Sequence, residues 1–423
     1  MSERASNKHR SHGEGSVYQR ASDGRWIGAI MVDGRRKTVS GKTRAEANRK
    51  LTRIKADLDR GLPMVTGGKT VSTFLDEWLE QIVKPTTRPR TYDNYRYVSD
   101  FHLKPTIGKH RLEKLSQQQV QAMLNAKLTS DLAPASVANI RRVLRVALNQ
   151  AMRWDLVARN VVTLTTLPKS EAYEGYALDA DEVGSLLTAA HGERLEALYW
   201  VAISLGLRQA ELFGLRWSDV DLEEGVLHVR KQLQYRRVTD VPAADGEAMP
   251  AVGRKRWEEA RAAWKASTAG GKSKEPRVAV LVTPKTATSR RTISIPSRVI
   301  EALRRHQERQ QEHRLEAGGR WQEWDLVFTT SIGTPLNQSN FRKGWLDVRK
   351  RAGLPDDMRF HDLRHSALSL MADRDVPVHD LKAIAGHAQV TTTMQLYVHS
   401  SAAKRKAAAA SLDDLFPVDK RST

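Results

Sequence analysis

The sequence predicts a multidomain chain: a small β-sheet-plus-helix domain, an all-α domain, and a larger mixed α+β domain. Three observations carry that reading. At 423 residues the chain exceeds what one ordinary hydrophobic core organises. Near the N-terminus, glycine-marked turns separate short β-patterned runs, and a long middle stretch then repeats apolar residues at helical spacing. From residue 177 onward, short strands and helices mix.

Residues 1–13 are polar and basic, and read as a disordered tail. The first domain spans 14–62. Ser16–Arg20, Arg25–Val32 and Arg35–Val39 read as strands, joined by turns at Ala21–Gly24 and Asp33-Gly34; Asp-Gly between extended runs is a strong hairpin signal. Thr43 and Glu46 form a capping-box pair, so a helix follows through Leu51, Ile54 and Leu58 until Gly61-Leu62-Pro63 stops it. Residues 1–62 hold 15 Lys/Arg against 7 Asp/Glu. The face carrying Arg25, Trp26, Arg35, Arg36 and Lys37 suits a DNA groove or, more plainly, solvent.

A linker at 64–70 leads to the helical domain, 71–169. Val71, Phe74, Leu75, Trp78, Leu79 and Ile82 make one apolar stripe. Tyr92, Tyr95 and Val98 predict a second helix, and Val120, Met123 and Leu124 a third. Val137, Ile140, Leu144, Ala147 and Ala151 predict a fourth, with Pro134 in its first turn. This last helix carries Arg141, Arg142 and Arg145 off the stripe, as a basic ridge able to meet phosphates. A polar joint at Lys169-Ser170-Glu171 precedes the third domain, 177–417. There Val226–Val229, Ala279–Val282 and Arg291–Ile295 read as strands, and 236–276 as a polar insertion in a hairpin. Residues 418–423 are a tail.

Charge narrows the partners. Lys plus Arg is 69 and Asp plus Glu 49, a net +20, which favours a polyanion. No apolar run approaches the ~20 residues that span a bilayer, and no signal segment is legible. Without cysteine there is neither disulfide nor thiolate metal site. The expectation is a cytoplasmic, nucleic-acid-associated protein rather than a membrane-bound one.

Chemistry-bearing residues gather at Phe360-His361-Asp362-Leu363-Arg364-His365, Gly386-His387 and Gln395-Leu396-Tyr397, with Gly206-Leu207-Arg208-Gln209-Ala210-Glu211 far upstream. Cleaving a phosphodiester without a metal needs guanidinium donors for the non-bridging oxygens and a nucleophile in line. It also needs a proton acceptor, and a donor for the leaving oxygen. Tyrosine, with an ordinary pKa near ~10, needs cationic support to attack at neutral pH. His361 and His365, four apart, suggest a metal pair, but no carboxylate pattern accompanies them. The Gly271-Lys272-Ser273 stretch matches a loose phosphate-loop pattern without the strand that should precede it, and is set aside.

In this order the motifs resemble the tyrosine recombinases, the phage integrase family. The first domain resembles an integrase arm-binding domain and the second a SAM-like core-binding domain, so the resemblance covers most of the chain. It implies that Arg208 and Arg364 clamp the scissile phosphate, with Glu211 supporting. His361 would take the proton, His387 bond the phosphate, and Tyr397 attack to give a 3′-phosphotyrosine. Lys285, ahead of the last strand, would be the general acid. The resemblance further implies no metal and no ATP, and a homotetramer on attachment-site DNA that integrates, and in some members excises, a mobile element. An excisionase and a DNA-bending protein are partners of the kind it implies, and the tail beyond Tyr397 would dock on a neighbouring protomer. Two alternatives stay open: a type IB topoisomerase, which also forms a phosphotyrosine, and a DNA-binding regulator that no longer cuts. The arm-like sheet and the close His361–Tyr397 spacing favour the recombinase over the first, and the intact set of six argues against the second.

Overall fold

The computed structural model describes residues 15–32, 35–59, 68–130, 132–168, 175–241, 249–268, 275–284, 287–386, 389 and 394. Contacts divide the chain into two compact units, Met1–Glu171 and Ala172–Thr423.

The first unit begins with an antiparallel sheet of β1 (Ser16–Gln19), β2 (Trp26–Val32) and β3 (Arg35–Gly41), in that order. Register pairs Gln19 with Trp26 and Val32 with Arg35, as a tight meander requires. Helix α1 (Arg44–Asp59) packs on the face that carries Gly28, where an added Cβ would fall 3.3 Å from Leu51 Cβ, and Ala47, Leu51, Ile27, Ala29 and Ile30 are all buried. Thr43 Oγ1 accepts from the Glu46 N–H at 3.2 Å, half of the expected capping box, while Glu46 Oε2 accepts at 2.8 Å from the Lys42 N–H, one residue before the cap.

The helical part of this unit holds two rods interrupted in the same way. In the first, α2 (Val71–Trp78) and α3 (Lys84–Thr86) flank a π turn at Leu79–Val83. In the second, α4 (Pro89–Val98) and α5 (Lys104–Ile107) flank another at Ser99–Leu103. Both π turns precede a Lys-Pro-Thr. Proline cannot donate to the helix ladder and its ring crowds the preceding turn, so the backbone widens by one residue. The Lys84 and Lys104 N–H groups accordingly bond five residues back, to Leu79 and Ser99. Helices α6 (Gln117–Thr129) and α7 (Pro134–Arg153) complete the bundle. Phe74, Trp78, Leu103, Leu124, Ile140 and Leu144 are among its fully buried side chains.

In the second unit, α8 (Ala180–Ala190), α9 (Glu196–Leu205) and the short α10 (Gln209–Phe213) lead into β4 (Val220–Asp221), β5 (Val226–Val229) and β6 (Gln232–Arg237). After α11 (Ala251–Thr268) come β7 (Arg277–Val282), β8 (Arg291–Ser294), α12 (Ser297–Ala317), α13 (Gln338–Arg351), α14 (Asp362–Asp373) and α15 (Val378–Ala385). β5 sits between β4 and β8, all antiparallel, while β6 and β7 form a separate antiparallel ladder. The stretch read as a polar insertion is therefore more ordered than expected. It lies on the β6–β7 hairpin and contains the 18-residue α11, anchored by Trp257, which is buried and donates to the Val238 carbonyl at 3.0 Å.

Candidate active site

The site is assembled by helix ends. Gly206 closes α9 in the left-handed conformation (φ 59°) and Gly386 closes α15 the same way (φ 62°); a side chain at either would be strained. Just past the first closure, buried Leu207 and Leu212 pin Arg208 against the core. His361 stands at the start of α14 with Arg364 in its first turn. Phe360, next to His361, is wedged edge-on against Phe341 (4.7 Å between centroids) and Trp345 (5.5 Å). Motif residues thus follow well-packed apolar ones, which fixes where they point.

Hydrogen bonds converge on the last turn of α15. Arg208 Nη2 donates to the Gly386 carbonyl at 3.0 Å, and Arg364 Nη2 to the Ala385 carbonyl at 2.6 Å. Arg291 Nε donates to the Ile384 carbonyl at 2.6 Å. Three consecutive carbonyls are each met by a different guanidinium. A helix C-terminus leaves such carbonyls without intrahelical partners and carries partial negative charge, so cations are favoured there. Arg364 also reaches back across the site, Nη1 donating to the Gly206 carbonyl at 2.6 Å.

Glu211 lies beneath this layer, buried. Its Oε1 accepts from Arg208 Nη1 at 2.8 Å, and its Oε2 from the Arg208 N–H at 3.0 Å and Arg291 Nη2 at 2.9 Å. Burial alone would push this carboxyl up; the Arg291 and Arg208 guanidiniums outweigh it and hold the group below its ordinary pKa. Arg364 is pulled the other way: burial, then the neighbouring Arg208 charge, lower it to about 9, still protonated at neutral pH. His361 is lowered by burial and by the Arg364 charge, so its imidazole is neutral at pH 7. Its ring stands perpendicular to that of His365 at 5.6 Å between centroids, a packing contact.

Arg208 and Arg291 thus share the Glu211 carboxylate, while Arg364 is bonded to the Gly206 and Ala385 carbonyls. A positive excess held in a poorly solvated place is costly until an anion arrives. With a neutral imidazole alongside, the cluster has the donors and the proton acceptor that a phosphodiester reaction asks for.

The residues foreseen from sequence divide in two. Arg208, Glu211, His361 and Arg364 come together, across more than 150 residues of chain. Lys285, His387 and Tyr397 lie outside the described residues, as does the tail beyond. Sequence reasoning missed Arg291, noted only as the first residue of a strand; its sole signal was a second arginine where β8 turns into the core.

The candidate DNA-contact residues are more mixed. Arg25 and Arg36 are exposed, and Trp26 and Lys37 half-buried; Arg36 lies over the Tyr18 ring at 5.6 Å. Arg35 heads β3, its side chain outside the described set. Arg142 and Arg145 are exposed on α7. Arg141 is instead committed inside the bundle, Nε donating to Thr165 Oγ1 at 2.9 Å and Nη2 to the Thr165 carbonyl at 2.8 Å.

Comparison with known proteins accords with this architecture. The profile described as "Phage integrase family" matches residues 271–404, and "Phage integrase, N-terminal SAM-like domain" matches 70–128. An integrase of Streptomyces ambofaciens is 31% identical over 399 residues, covering 92% of this chain and 93% of that protein. A XerC-like tyrosine recombinase of Caldanaerobacter subterraneus subsp. tengcongensis is 26% identical over 90% of this chain and 92% of its own length. In fold, the chain resembles the Tn1549 transposon integrase solved with transposon right-end DNA, at TM-score 0.62 and 17% identity, over 82% of this chain and 99% of that one. A lambda integrase tetramer bound to a Holliday junction matches at TM-score 0.51 and 18% identity, over 92% of this chain and 96% of that one. With a relative 31% identical matched over nine-tenths of both chains, and both family profiles falling within it, the chain belongs to the phage integrase family of tyrosine recombinases.

Proposed function

We propose that this chain, a site-specific DNA recombinase by its family, cuts and rejoins double-stranded attachment sites through a phosphotyrosine formed on Tyr397. The phenolic oxygen attacks phosphorus, the bond to the 5′ oxygen breaks, and the strand is left as a 3′-phosphotyrosine with a free 5′-hydroxyl. His361 receives the phenolic proton, and Lys285 delivers one to the leaving oxygen. Arg208 and Arg364 hold the non-bridging oxygens, joined by His387, while Glu211 orients Arg208. Because the phosphotyrosine conserves the bond energy, rejoining reverses these steps without ATP. The observation that carries the proposal is the convergence of Arg208 and Arg364 on the carbonyls of Ala385 and Gly386, immediately before His387.

At the level of the whole chain, the proposal is a sheet domain reading arm-type sites, a helical domain gripping the core site, and a catalytic domain. Four protomers would assemble on DNA and exchange strands through a Holliday junction. Arg25, Trp26, Arg35, Arg36 and Lys37 would meet the arm site, and Arg142 and Arg145 the core phosphates; Arg141 serves there mainly as a structural tie.

The test is covalent capture. A nicked duplex carrying the junction at which the element is inserted is incubated with protein and resolved on a denaturing gel. Wild type should form an adduct and Tyr397→Phe none; Arg208→Lys should slow adduct formation about 10²- to 10³-fold, the scale of one lost donor on a developing charge. No adduct from wild type would sink the proposal in favour of a protein that binds without cutting. Adduct and relaxation without recombinants, when the partner site is supplied, would favour the topoisomerase.

A further inference from the structure

Behind Arg208 the structure holds a second guanidinium with no route to DNA. Arg291 opens β8 with its side chain 6% exposed, against 34% for Arg208 and 1% for the Glu211 between them. All three kinds of its nitrogen are engaged: Nη2 with Glu211 at 2.9 Å, Nη1 with the Ser289 carbonyl at 3.0 Å, and Nε with the Ile384 carbonyl at 2.6 Å. A Cβ placed on Gly386 would sit 3.1 Å from Arg291 Nη1, so the residue that closes α15 also rests on this side chain. One planar group therefore joins β8, α10 and the last turn of α15.

We infer that Arg291 is a positioning residue for the cleavage reaction: it locks the Glu211 carboxylate and the α15 carbonyls in place, so that Arg208 presents its remaining donors to the phosphate. The inference rests on the proposed reaction, in which Arg208 binds that phosphate. The Glu211 carboxylate has two jobs, receiving both the Arg208 side chain and the Arg208 N–H. It can do both only if it cannot rotate, and Arg291 supplies the third bond that stops rotation. Lysine keeps the charge but is a single point donor, unable to reach a carboxylate and two carbonyls together. Glutamine loses the charge as well. With its largest offset to burial removed, the Glu211 carboxyl moves up from its depressed value, and its protonation then releases Arg208.

The test uses the full chain as wild type, Arg291→Lys, Arg291→Gln, Glu211→Gln and the Gln/Gln double variant. Four quantities are measured: folded content by circular dichroism, affinity for the core duplex, adduct rate on the nicked duplex from pH 5.5 to 8, and the Glu211 titration by selectively 13C-labelled NMR. Arg291→Gln should slow adduct formation about 10- to 100-fold, the usual penalty for losing an orienting partner behind a charged ligand. Core affinity should stay within about threefold, and a new fall in rate should appear toward low pH. Arg291→Lys should recover part of the rate, and in the double variant Arg291→Gln should cost less than it does alone, since the two residues share the carboxylate while Arg291 also holds the Ile384 carbonyl. If Arg291→Gln cuts at the wild-type rate, or loses folded content and rate together with no new pH dependence, Arg291 is not a positioning residue. If wild type itself forms no adduct, the proposed function fails, and the inference is judged on the carboxyl alone. A Glu211 titration unchanged by Arg291→Gln would then overturn it.

Discussion

At the scale of the residue, the site was readable where a motif joins a conformational demand to a chemical one. Gly206 before Arg208, and Gly386 before His387, announce helix ends followed by polar chemistry, and the structure bears both closures out. Arg291 was not readable, because in a chain with 69 basic residues nothing local distinguishes a buried guanidinium from a solvated one. Burial also hides a titrating group away from the site. His306 on α12 is 5% exposed, with Trp217 and Phe328 rings beside it. Its Nε2 lies 2.8 Å from the Val327 carbonyl, and its Nδ1 has no hydrogen-bond partner among the described residues. Burial lowers its pKa to about 4. The folded state therefore resists a proton that the unfolded chain accepts below pH 6.5, so stability is full above 6.5 and declines as pH falls, the loss ending near 4. Linkage puts the whole decline at about 3 kcal/mol. His306→Gln, which keeps a donor but cannot titrate, should flatten that part of the pH–stability curve in urea titrations. An unchanged slope would show that another group causes it.

Elements were legible where periodicity is long and clean. The three strands and capped helix of the N-terminal sheet, and the apolar stripes of α2, α6 and α7, needed no tertiary information. The two π turns were not visible, since a Lys-Pro-Thr reads simply as a helix end; packing carries the rod on past it. Helix α11 was missed for a different reason: its stretch was read only as a polar insertion, though the Ala, Arg and Glu it holds are strong helix formers. Its docking sets two opposing effects against each other. Gly253 lies against the Trp324 ring, where an added Cβ would fall 2.5 Å from Cη2. Alanine there gains about 1 kcal/mol of helix propensity, but overpacking a ring that cannot move typically costs about 1–3 kcal/mol. Gly344 in α13 faces no atom within 4 Å of that position, so propensity acts alone. Gly253→Ala should therefore lower, and Gly344→Ala raise, the denaturation midpoint. Equal behaviour of the two variants would mean that α11 is not seated on Trp324.

For the whole molecule, the net charge of +20 pointed to a polyanion before any motif did, but it carries no sequence preference. If Arg25, Arg36, Arg142 and Arg145 meet phosphates, affinity for duplex DNA should fall steeply with salt. Four such contacts imply about a 10²-fold loss between 50 and 200 mM. Fluorescence anisotropy at several salt concentrations reads the slope directly, and a shallow one would remove the proposed phosphate contacts. Composition could not say how distant parts of the chain meet, because convergence depends on packing rather than on local pattern. Residues 208, 291 and 364 meet at a helix only eight residues long, and that imposes a rule on how the gene can vary. Advancing α15 by one residue would turn its carbonyls through about 100° and present the three arginines with the wrong atoms. The short turn from Arg374 to Pro377, with Asp375 in the left-handed conformation at φ 59°, thus cannot freely gain or lose a residue. Surface loops ordinarily absorb insertions; this one is held to a fixed length by chemistry carried out elsewhere.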